Sequence, residues 1–442
     1  MRIAEPFLLS VVLVGCAAPP RPPDLVLVSV DTLRADRLET YGAPRPTSPR
    51  ILELSAGGLT FDRAVAQAPW TAPSMASVHT GLYPSEHGVD RADRVLAPER
   101  KTVAEVLRDA GYQCAAVITH AFVGAARGFD QGFEIFDDSQ DLGAVVVTSQ
   151  GVTDAALAAW GQLGRGPRFL WTHYFDPHAA FVTQPSVEGL GDHAPDTLTV
   201  EELQVLERKL AARDSSDTRM GLEPVLRAYD QEIAYTDRWI GRLMDGIRAA
   251  NGARPVVFVL VADHGELFME RGRIGHGREV YQALVGVPLI VGGDIPAGLQ
   301  GMRVDTPVET ASIGATLLRL AGVAGAPLPG TDLLALAAGE TAPPVVLTEG
   351  SYAGGDGLTK RAIFRGQWKL IHRVRRRTFE LYDLDADPEE LNDLAGDSKA
   401  AEVEGALRNW LAAHPPGAAR EIVEHAIGDE ERARLNSLGY LN

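Results

Sequence analysis

The sequence is short of cysteine and of positive charge, and both shortages exclude classes of protein. It holds 2 cysteines among 442 residues, so it is not a disulfide-stabilised scaffold. Its 42 Lys and Arg residues are outnumbered by 59 Asp and Glu residues, which leaves a formal net charge of -17. Because recognition of nucleic acid needs a basic face, this balance argues against a nucleic-acid partner. An anionic substrate would have to be attracted by local groups.

The N-terminus has no long apolar segment, only a short run at residues 7–14. This run is too short to span a bilayer but suits the core of a signal peptide. It leads into LVGC at residues 13–16, which resembles the lipobox of bacterial lipoproteins, whose cysteine is lipidated. The alternative is an ordinary signal peptide with a chance Cys16. We expect a signal peptide over residues 1–15, a lipidated tether over 16–23 and a location on the bacterial cell envelope, facing the periplasm.

Composition and apolar patterning predict a large α/β domain. Short apolar runs that end in polar residues predict buried parallel strands, at residues 25–30, 115–119, 169–174, 256–261 and 288–291. Helical patterns lie between them, at residues 48–56, 102–110 and 224–249. The alternation predicts a doubly wound, mostly parallel sheet. The second cysteine, Cys114, is expected to be a buried thiol in a strand.

From about residue 340 the pattern changes to short antiparallel strands. These are predicted at residues 362–365, 369–373 and 379–382, with a helix near residues 402–412. We therefore expect a catalytic domain over residues 24–340 and a small α+β C-terminal subdomain over residues 341–442. The arginines at 375–377 are interpreted as a solvated hairpin tip, and the alternative is a rim that attracts an acidic substrate.

Side chains with metal-binding chemistry follow two of the predicted strands. Asp31 follows the first, and Asp263 with His264 follows the strand at residues 256–261. In doubly wound sheets, ligands bind beyond the carboxyl ends of the strands. Two carboxylates, one imidazole and the oxygen of Thr71 predict a site for one divalent cation, which could be Mg²⁺, Mn²⁺, Ca²⁺ or Zn²⁺. The alternative for Asp263 and His264 is a capped strand end without metal.

Thr71 stands where a helix is expected to begin. Threonine is a good N-cap, Pro73 fits the first turn, and Gly81 ends the segment. Because a helix N-terminus stabilises an anion, a hydroxyl placed there beside a carboxylate predicts hydrolysis of a phosphate or sulfate ester. A divalent cation would lower the pKa of the hydroxyl, which is otherwise a poor nucleophile.

Several other polar residues are candidates for substrate contact. His178 and His276 could bind an oxyanion or protonate the leaving group. Arg34 could bind the oxyanion but could equally pair with Asp36. We interpret the remaining histidines in apolar surroundings as structural, namely His79, His87 and His173.

Six segments resemble motifs of the sulfatase family within the alkaline phosphatase superfamily. They are DTLRAD at residues 31–36, TAPSMASVHTGLYPSEHG at 71–88, GFDQGF at 128–133, DPH at 176–178, ADHGE at 262–266 and YDLDADP at 382–388. The resemblance runs from about residue 24 to LGYL at residues 438–441. It implies metal ligation and substrate contact by the residues already named: Asp31, Asp263 and His264 at the metal, Thr71 as nucleophile, and His178 and His276 at the substrate.

The sequence departs from the family at its central motif. Sulfatases carry Cys or Ser at the position of Thr71, followed by X-Pro-Ser-Arg, and convert it to formylglycine. Threonine cannot become that aldehyde, and Met75 replaces the arginine. Thr119 and His120 also stand where many sulfatases have Lys and His. Phosphotransferases and phosphodiesterases of the superfamily do use threonine, so the resemblance implies a Thr71-dependent hydrolase or transferase without formylglycine.

Other readings stay open. One is an arylsulfatase-like sulfuric ester hydrolase despite the missing cysteine, and another is a non-catalytic lipoprotein that binds a metal or an anion. A second cation would need Asp176, His178 and His276, whose spacing is tighter than in two-metal relatives, so we expect one cation. The expected partners are a small-molecule, glycan or lipid ester and a membrane that holds the lipid anchor.

Overall fold

The computed structural model describes residues 21–437 except 140–147, 183–197, 213–220, 326, 343, 356 and 418–421. The expected signal peptide, the expected lipidation site at Cys16 and the LGYL motif at 438–441 lie outside the described residues. Within those residues, no helix combines the length and the apolar character that a membrane crossing requires.

Strands and helices alternate along most of the chain. The strands are β1 (Asp24–Val30), β2 (Leu59–Val65), β3 (Arg94–Val95), β4 (Gln113–Val117), β5 (Ile135–Asp137), β6 (Arg168–Tyr174), β7 (Val256–Ala262), β8 (Leu267–Phe268), β9 (Ile274–Gly275), β10 (Gly286–Gly293), β11 (Arg303–Val304), β12 (Val308–Glu309), β13 (Val346–Ser351), β14 (Leu358–Arg365), β15 (Trp368–Arg373), β16 (Thr378–Asp383) and β17 (Val423–Glu424). The α-helices are α1 (Pro49–Ala56), α2 (Thr71–Thr80), α3 (Pro84–His87), α4 (Val103–Asp109), α5 (Ser149–Gln162), α6 (Val200–Ala211), α7 (Leu222–Asn251), α8 (Gln282–Val285), α9 (Ser312–Leu320), α10 (Leu333–Ala337), α11 (Ala401–Ala413) and α12 (Asp429–Ser437).

The central sheet has nine strands in the order β11-β2-β10-β7-β1-β6-β4-β5, with β12 also paired to β2. Every residue of β1 and β7 is buried, as expected for parallel strands that helices cover on both faces. β1 pairs in parallel with β6 and with β7, and this register places Val30 beside both Tyr174 and Ala262. The carboxyl ends of these three strands therefore lie side by side.

The predicted fold class, a mostly parallel α/β sheet with a small C-terminal subdomain, is confirmed. One strand direction was wrong: the strand predicted at residues 288–291 is β10, which runs antiparallel to β7 and β2. Its connection to β7 contains short strands and the four-residue α8, whereas a parallel crossover usually needs a long helix. Strand β2 was not predicted because Asp62 and Arg63 interrupt its apolar run.

The C-terminal subdomain is built on the antiparallel sheet β13-β14-β15-β16. One face packs against α11, where Leu407 and Leu411 meet Leu370 and Leu381. The other face packs against residues of the loop between β7 and β10. Arg375, Arg376 and Arg377 are exposed between β15 and β16, as a solvated hairpin tip requires. The domain boundary at residue 340 stays a prediction.

Helix α1 takes its N-terminal cap from a distant helix. Ser48 occupies the N-cap position but makes no side-chain capping bond. Instead, the buried carboxylate of Asp237 in α7 accepts hydrogen bonds from the backbone N–H groups of Arg50 (3.0 Å) and Ile51 (2.8 Å). Because burial keeps water away, these two amides depend on Asp237.

We expect Asp237→Ala to lower the free energy of unfolding by about 2–4 kcal/mol, because two backbone donors, one of them buried, lose their buried acceptor. The matched control is Asp245→Ala, which removes an exposed carboxylate of the same helix that pairs with Arg50. It should change stability by less than about 1 kcal/mol. Urea unfolding followed by circular dichroism measures both, and equal losses would contradict the capping role.

Candidate active site and metal centre

The carboxyl ends of β1, β6 and β7 form the floor of the candidate site. Asp31 follows β1 and its N–H donates to the carbonyl of Tyr174 in β6 at 2.8 Å. Asp263 follows β7, and its Oδ1 accepts from the backbone N–H groups of Thr32 (3.2 Å) and His264 (2.7 Å). Neither Asp31 nor Asp263 is exposed to solvent. The sheet register therefore brings together two carboxylates that are far apart in the sequence.

The negative charges of these two carboxylates are not balanced by neighbouring cationic side chains among the described residues. Among the described residues, Asp31 Oδ1 and Asp263 Oδ2 have no hydrogen-bond partner, and no Lys or Arg lies within 4.0 Å of either group. Burial raises the pKa of Asp31, and burial together with Asp31 raises the pKa of Asp263 to about 6. A bound cation would reverse this penalty, since two adjacent buried anions are costly without one.

The ring of His173 places a third buried atom without a hydrogen-bond partner in the described part of the chain, Nε2, beside these two carboxylates. The Ser29 hydroxyl accepts from the indole N–H of Trp171 (2.9 Å). When it donates to the carbonyl of Thr172 (3.0 Å), its second lone pair accepts from His173 Nδ1 (2.9 Å), and we assign the ring this tautomer. Burial lowers the pKa of His173 to about 4, so the ring is neutral and its Nε2 carries a lone pair. This Nε2 has no hydrogen-bond partner among the described residues and faces Asp31 Oδ2 at 3.4 Å. Two opposed acceptors at this distance fit a cation placed between them.

His264 is held in the same tautomer by different means. Its Nδ1 lies 2.8 Å from the carbonyl oxygen of Gly265, which can only accept, so Nδ1 carries the proton. Nε2 is then an acceptor, 3.6 Å from Asp31 Oδ1 and 3.4 Å from Asp263 Oδ2. Burial lowers the pKa of His264 to about 3, which keeps the ring neutral.

Together these groups fit a divalent cation. One ligand atom each from Asp31, His173 and Asp263 lies within 4.8 Å of the others, and no other such group of three occurs in the described part of the chain. His264 adds an imidazole against both carboxylates. The structure thus brings together the predicted Asp31, Asp263 and His264. It also adds His173, whose interpretation as a purely structural residue does not fit its position.

Thr71 lies directly above this group. It is the first residue of α2 and not its N-cap, so that prediction was wrong; Trp70 takes the N-cap position with extended backbone angles. The Thr71 hydroxyl lies 3.5 Å from Asp31 Oδ2 and 3.4 Å from His264 Nε2. Ser74 donates to the carbonyl of Asp263 at 2.5 Å and ties the helix to the strand end.

His178 and His276 lie beside the candidate metal ligands, and the centres of their two rings are 5.0 Å apart. His276 Nδ1 contacts the carboxyl group of Glu266 at 3.1 Å, and its ring centre is 4.5 Å from that of His264. Burial raises the pKa of Glu266 to about 8, while burial lowers the pKa of His276 to about 3. Burial also holds the pKa of His178 well below its usual range. With their pKa values lowered, the rings of His173, His178, His264 and His276 are neutral at pH 7.

His120 belongs to this environment, although sequence reasoning noted it only as a departure from the family. Its Nε2 lies 3.8 Å from Asp31 Oδ2, and its ring centre is 6.0 Å from that of His178. Its Nδ1 accepts from the backbone N–H of Phe122 at 3.0 Å, so the neutral ring carries its proton on Nε2. His120 follows the carboxyl end of β4, close to the ends of β1 and β6. This position is the feature of the sequence that could have identified it as a site residue.

Two other candidates are used elsewhere. The Arg34 guanidinium pairs with Asp36 (2.7 Å) and Glu270 (2.6 Å) and donates to the carbonyl of Glu266. The predicted alternative of pairing with Asp36 is therefore the one observed, and the structure does not support substrate binding by Arg34. Asp176 accepts from Thr148 and Ser149 at the start of α5, which leaves the proposed second cation without its carboxylate.

A cavity of about 320 Å³ opens in front of the site. His178, His276 and Glu266 reach its wall from the catalytic side, and Tyr352 reaches it from the loop after β13. The indole N–H of Trp70 donates to the hydroxyl of Ser351 at 3.2 Å, so the C-terminal subdomain helps to position this wall. Further parts of the wall come from α6 and from the segment 273–279.

Residues 23–323 match the family described as Sulfatase, and residues 275–415 match the family described as N-sulphoglucosamine sulphohydrolase, C-terminal. The chain belongs to the sulfatase family. This sulfatase is accordingly an ester hydrolase. A delta 4,5-hexuronate-2-O-sulfatase of Bacteroides thetaiotaomicron is 22% identical to it over 98% of this chain and 97% of the relative.

Solved structures share the fold of this sulfatase. One, in complex with its substrate D-glucosamine-2-N,6-O-disulfate, has a TM-score of 0.72 at 19% identity and covers 89% of this chain and 97% of that one. The phosphonate monoester hydrolase of Agrobacterium radiobacter has a TM-score of 0.71 at 18% identity, covering 88% and 95%. The fold therefore occurs in enzymes with sulfur and with phosphorus substrates.

We expect Ser29→Ala to weaken binding of Zn²⁺ or Mn²⁺ by about 10–100-fold, because His173 loses the acceptor that fixes its tautomer and orientation. Isothermal titration of metal-free protein against each metal, with a competing chelator, measures the affinity. The control is Thr40→Ala, which removes a buried hydroxyl that contacts Ser55 away from the site. An unchanged affinity in Ser29→Ala would contradict this supporting role of Ser29.

Proposed function

We propose that this sulfatase hydrolyses a phosphate or sulfate ester with Thr71 as nucleophile and without formylglycine, with a phosphoester as the favoured substrate. The observation that carries the proposal is the position of the Thr71 hydroxyl, 3.5 Å from Asp31 Oδ2 at the buried N-terminus of α2. Threonine cannot form the aldehyde of formylglycine-dependent sulfatases, and a direct attack on phosphorus does not need it. Transfer of the phosphoryl group to an alcohol is a variant of the same reaction.

We further propose that one divalent cation is held by Asp31, Asp263, His173 and His264, with the Thr71 oxygen beside it. Two imidazoles in the donor set favour Zn²⁺ or Mn²⁺ over Ca²⁺ and Mg²⁺, which prefer oxygen ligands. When bound, such a cation supplies positive charge to the ester oxygens and lowers the pKa of a neighbouring hydroxyl.

The side chains of the site divide the reaction between them. Thr71 Oγ1 gives its proton to Asp31 Oδ2 and attacks the phosphorus in line with the leaving oxygen, so the new P–O bond forms as the ester bond breaks. The leaving oxygen takes a proton from His276 Nε2, while the carboxyl group of Glu266, whose pKa burial raises to about 8, gives its proton to Nδ1 of the same ring. The N-terminus of α2 and His178 stabilise the other oxygens. Water, or an alcohol, then releases the group from Thr71.

Sulfate ester hydrolysis is the second candidate, and the family supports it. The bacterial relative is named for a sugar sulfate, and a fold neighbour binds D-glucosamine-2-N,6-O-disulfate. The phosphonate monoester hydrolase neighbour supports the phosphorus substrate instead. The third candidate is a non-catalytic lipoprotein that binds a metal or an anion. Metal binding by the complete set of ligands without any turnover would identify it. We also propose that the protein is located on the cell envelope, because the segment that ends at Cys16 resembles a lipobox.

We expect Thr71→Ala to lower kcat by about 10³–10⁶-fold, because the nucleophile is lost, while Thr71→Ser keeps measurable turnover. The matched control is Thr80→Ala at the other end of α2, whose hydroxyl donates to the carbonyl of Ala76 and accepts from the N–H of Leu82. Metal titration on each variant separates loss of chemistry from loss of the site. Retained turnover in Thr71→Ala would overturn the nucleophile assignment.

The substrate class is decided by a parallel screen of the metal-loaded protein on aryl sulfates, phosphate monoesters and phosphodiesters. We expect turnover of at least one phosphate ester that exceeds turnover of any sulfate ester. Cleavage of aryl sulfates alone would establish the second candidate. Metal binding with no turnover on any of the three classes would establish the non-catalytic reading.

A further inference from the structure

The end of the sheet opposite the candidate active site carries a cluster of arginines. Arg21, Arg165, Arg168 and Arg254 line a surface depression of about 330 Å³, and its other lining residues are uncharged. We call these four residues the basic face. They come immediately before, or open, the strands β1, β6 and β7, so they gather at the amino ends of the same strands whose carboxyl ends build the site.

The basic face has an excess of positive charge in an acidic protein. Arg168 pairs with the buried Asp24 at 2.6 Å, and Arg254 lies 3.6 Å from the same carboxylate. Asp24 is the only acidic partner that these four arginines have among the described residues. Arg21 and Arg165 are exposed and make no ion pair within the described part of the chain. Within the depression, four cations and one anion leave three positive charges, whereas the whole chain carries -17. The exposed carboxylates of Asp294 and Glu134 lie at the same end of the sheet, beside the starts of β7 and β4.

We propose that the basic face docks on the surface of an anionic phospholipid bilayer. Arginines near a bilayer are attracted by its negative surface potential, and they bind phosphate through several N–H donors at once. The remainder of the acidic molecule is repelled by the same surface. The combination therefore orients the protein with its basic face toward the lipid.

The chain path supports this partner. Four residues lie between Cys16 and Arg21, and the five Cα–Cα steps from one to the other span at most about 18 Å. If Cys16 is lipidated, as its sequence context predicts, the basic face cannot be far from the bilayer surface. A single lipid-anchored segment commonly needs a basic patch as its second signal for stable membrane attachment. This step rests on the expected lipidation, whereas the charge of the basic face does not.

The orientation has a consequence for the substrate. β1 has seven residues, which separate the basic face from Asp31 by about 23 Å. The cavity in front of the site then faces away from the bilayer. Resting on the proposed ester hydrolysis, this arrangement favours a substrate that arrives from the aqueous side, such as a glycan or small-molecule ester, over a membrane lipid.

The test uses the chain from Arg21 onward, which retains every residue of the three apolar clusters of the described part, all at or beyond Leu25. Co-sedimentation at low salt compares vesicles of phosphatidylcholine alone with vesicles that contain equal parts of phosphatidylglycerol. We expect binding to the phosphatidylglycerol vesicles only. The double variant Arg21→Glu and Arg165→Glu should weaken this binding by at least about 30-fold, from the contribution of each arginine near a charged surface.

The matched control is Arg376→Glu with Arg377→Glu, which makes the same change in net charge at the exposed hairpin tip. It should bind vesicles within about 3-fold of the unmodified chain, apart from the long-range effect of charge. Equal losses in both double variants, or no binding to phosphatidylglycerol vesicles, would overturn the proposal. Inorganic phosphate that displaces the protein at micromolar concentration would show a site for a free anion and would overturn it as well.

Activity distinguishes this proposal from the proposed function. Turnover of a water-soluble ester should be the same in the Arg21 and Arg165 double variant and in the unmodified chain, free or vesicle-bound. Vesicle binding without any turnover would support membrane docking by the basic face and contradict the proposed ester hydrolysis. Turnover without vesicle binding would support the proposed hydrolysis and contradict membrane docking.

Discussion

The structure depends on one constraint, the burial of two adjacent carboxylates at the carboxyl ends of β1 and β7. Neither Asp31 nor Asp263 is exposed, and in the described residues neither has an arginine or lysine to offset its charge. Such an arrangement is costly by itself, since each buried anion lacks hydration. It becomes favourable when a cation is bound between them. The surrounding side chains make sense as the parts that prepare this cation site.

Two histidines are prepared in the same way by unrelated parts of the fold. Ser29 fixes the tautomer of His173 through its hydroxyl, and the carbonyl of Gly265 fixes the tautomer of His264. In both rings Nδ1 carries the proton, so Nε2 is directed to the carboxylates with a lone pair. A ligand held by its second nitrogen loses little freedom when a metal binds, which is the usual advantage of such supporting contacts. The donor set is therefore specified by hydrogen bonds as much as by the ligands.

Much of this arrangement was predictable from local sequence, and the remainder depended on partners distant along the chain. Mostly apolar runs predicted β1, β6 and β7, and polar residues at their ends predicted Asp31, Asp263 and His264. His173 lies inside β6 and reads as a buried strand residue until the register places it opposite Ser29. The roles of Asp176 and Arg34 were equally non-local, because Asp176 caps α5 and Arg34 pairs with Glu270. The direction of β10 is set by the loop that precedes it. This loop has no periodic apolar pattern, so its path could not be predicted from the sequence.

The departures from the family motif form a consistent set when they are placed in the fold. Met75 is fully buried in the apolar core, so its position supplies no charge to the site. Thr119 donates its hydroxyl to the carbonyl of His173 at 2.9 Å, so the residue that replaces a family lysine supports a metal-facing histidine instead. Fixed positive charge is thereby exchanged for neutral imidazoles. Because these imidazoles are neutral, in the proposed reaction electrostatic attraction would come from the proposed cation and from the N-terminus of α2, the two features that a threonine nucleophile would also require.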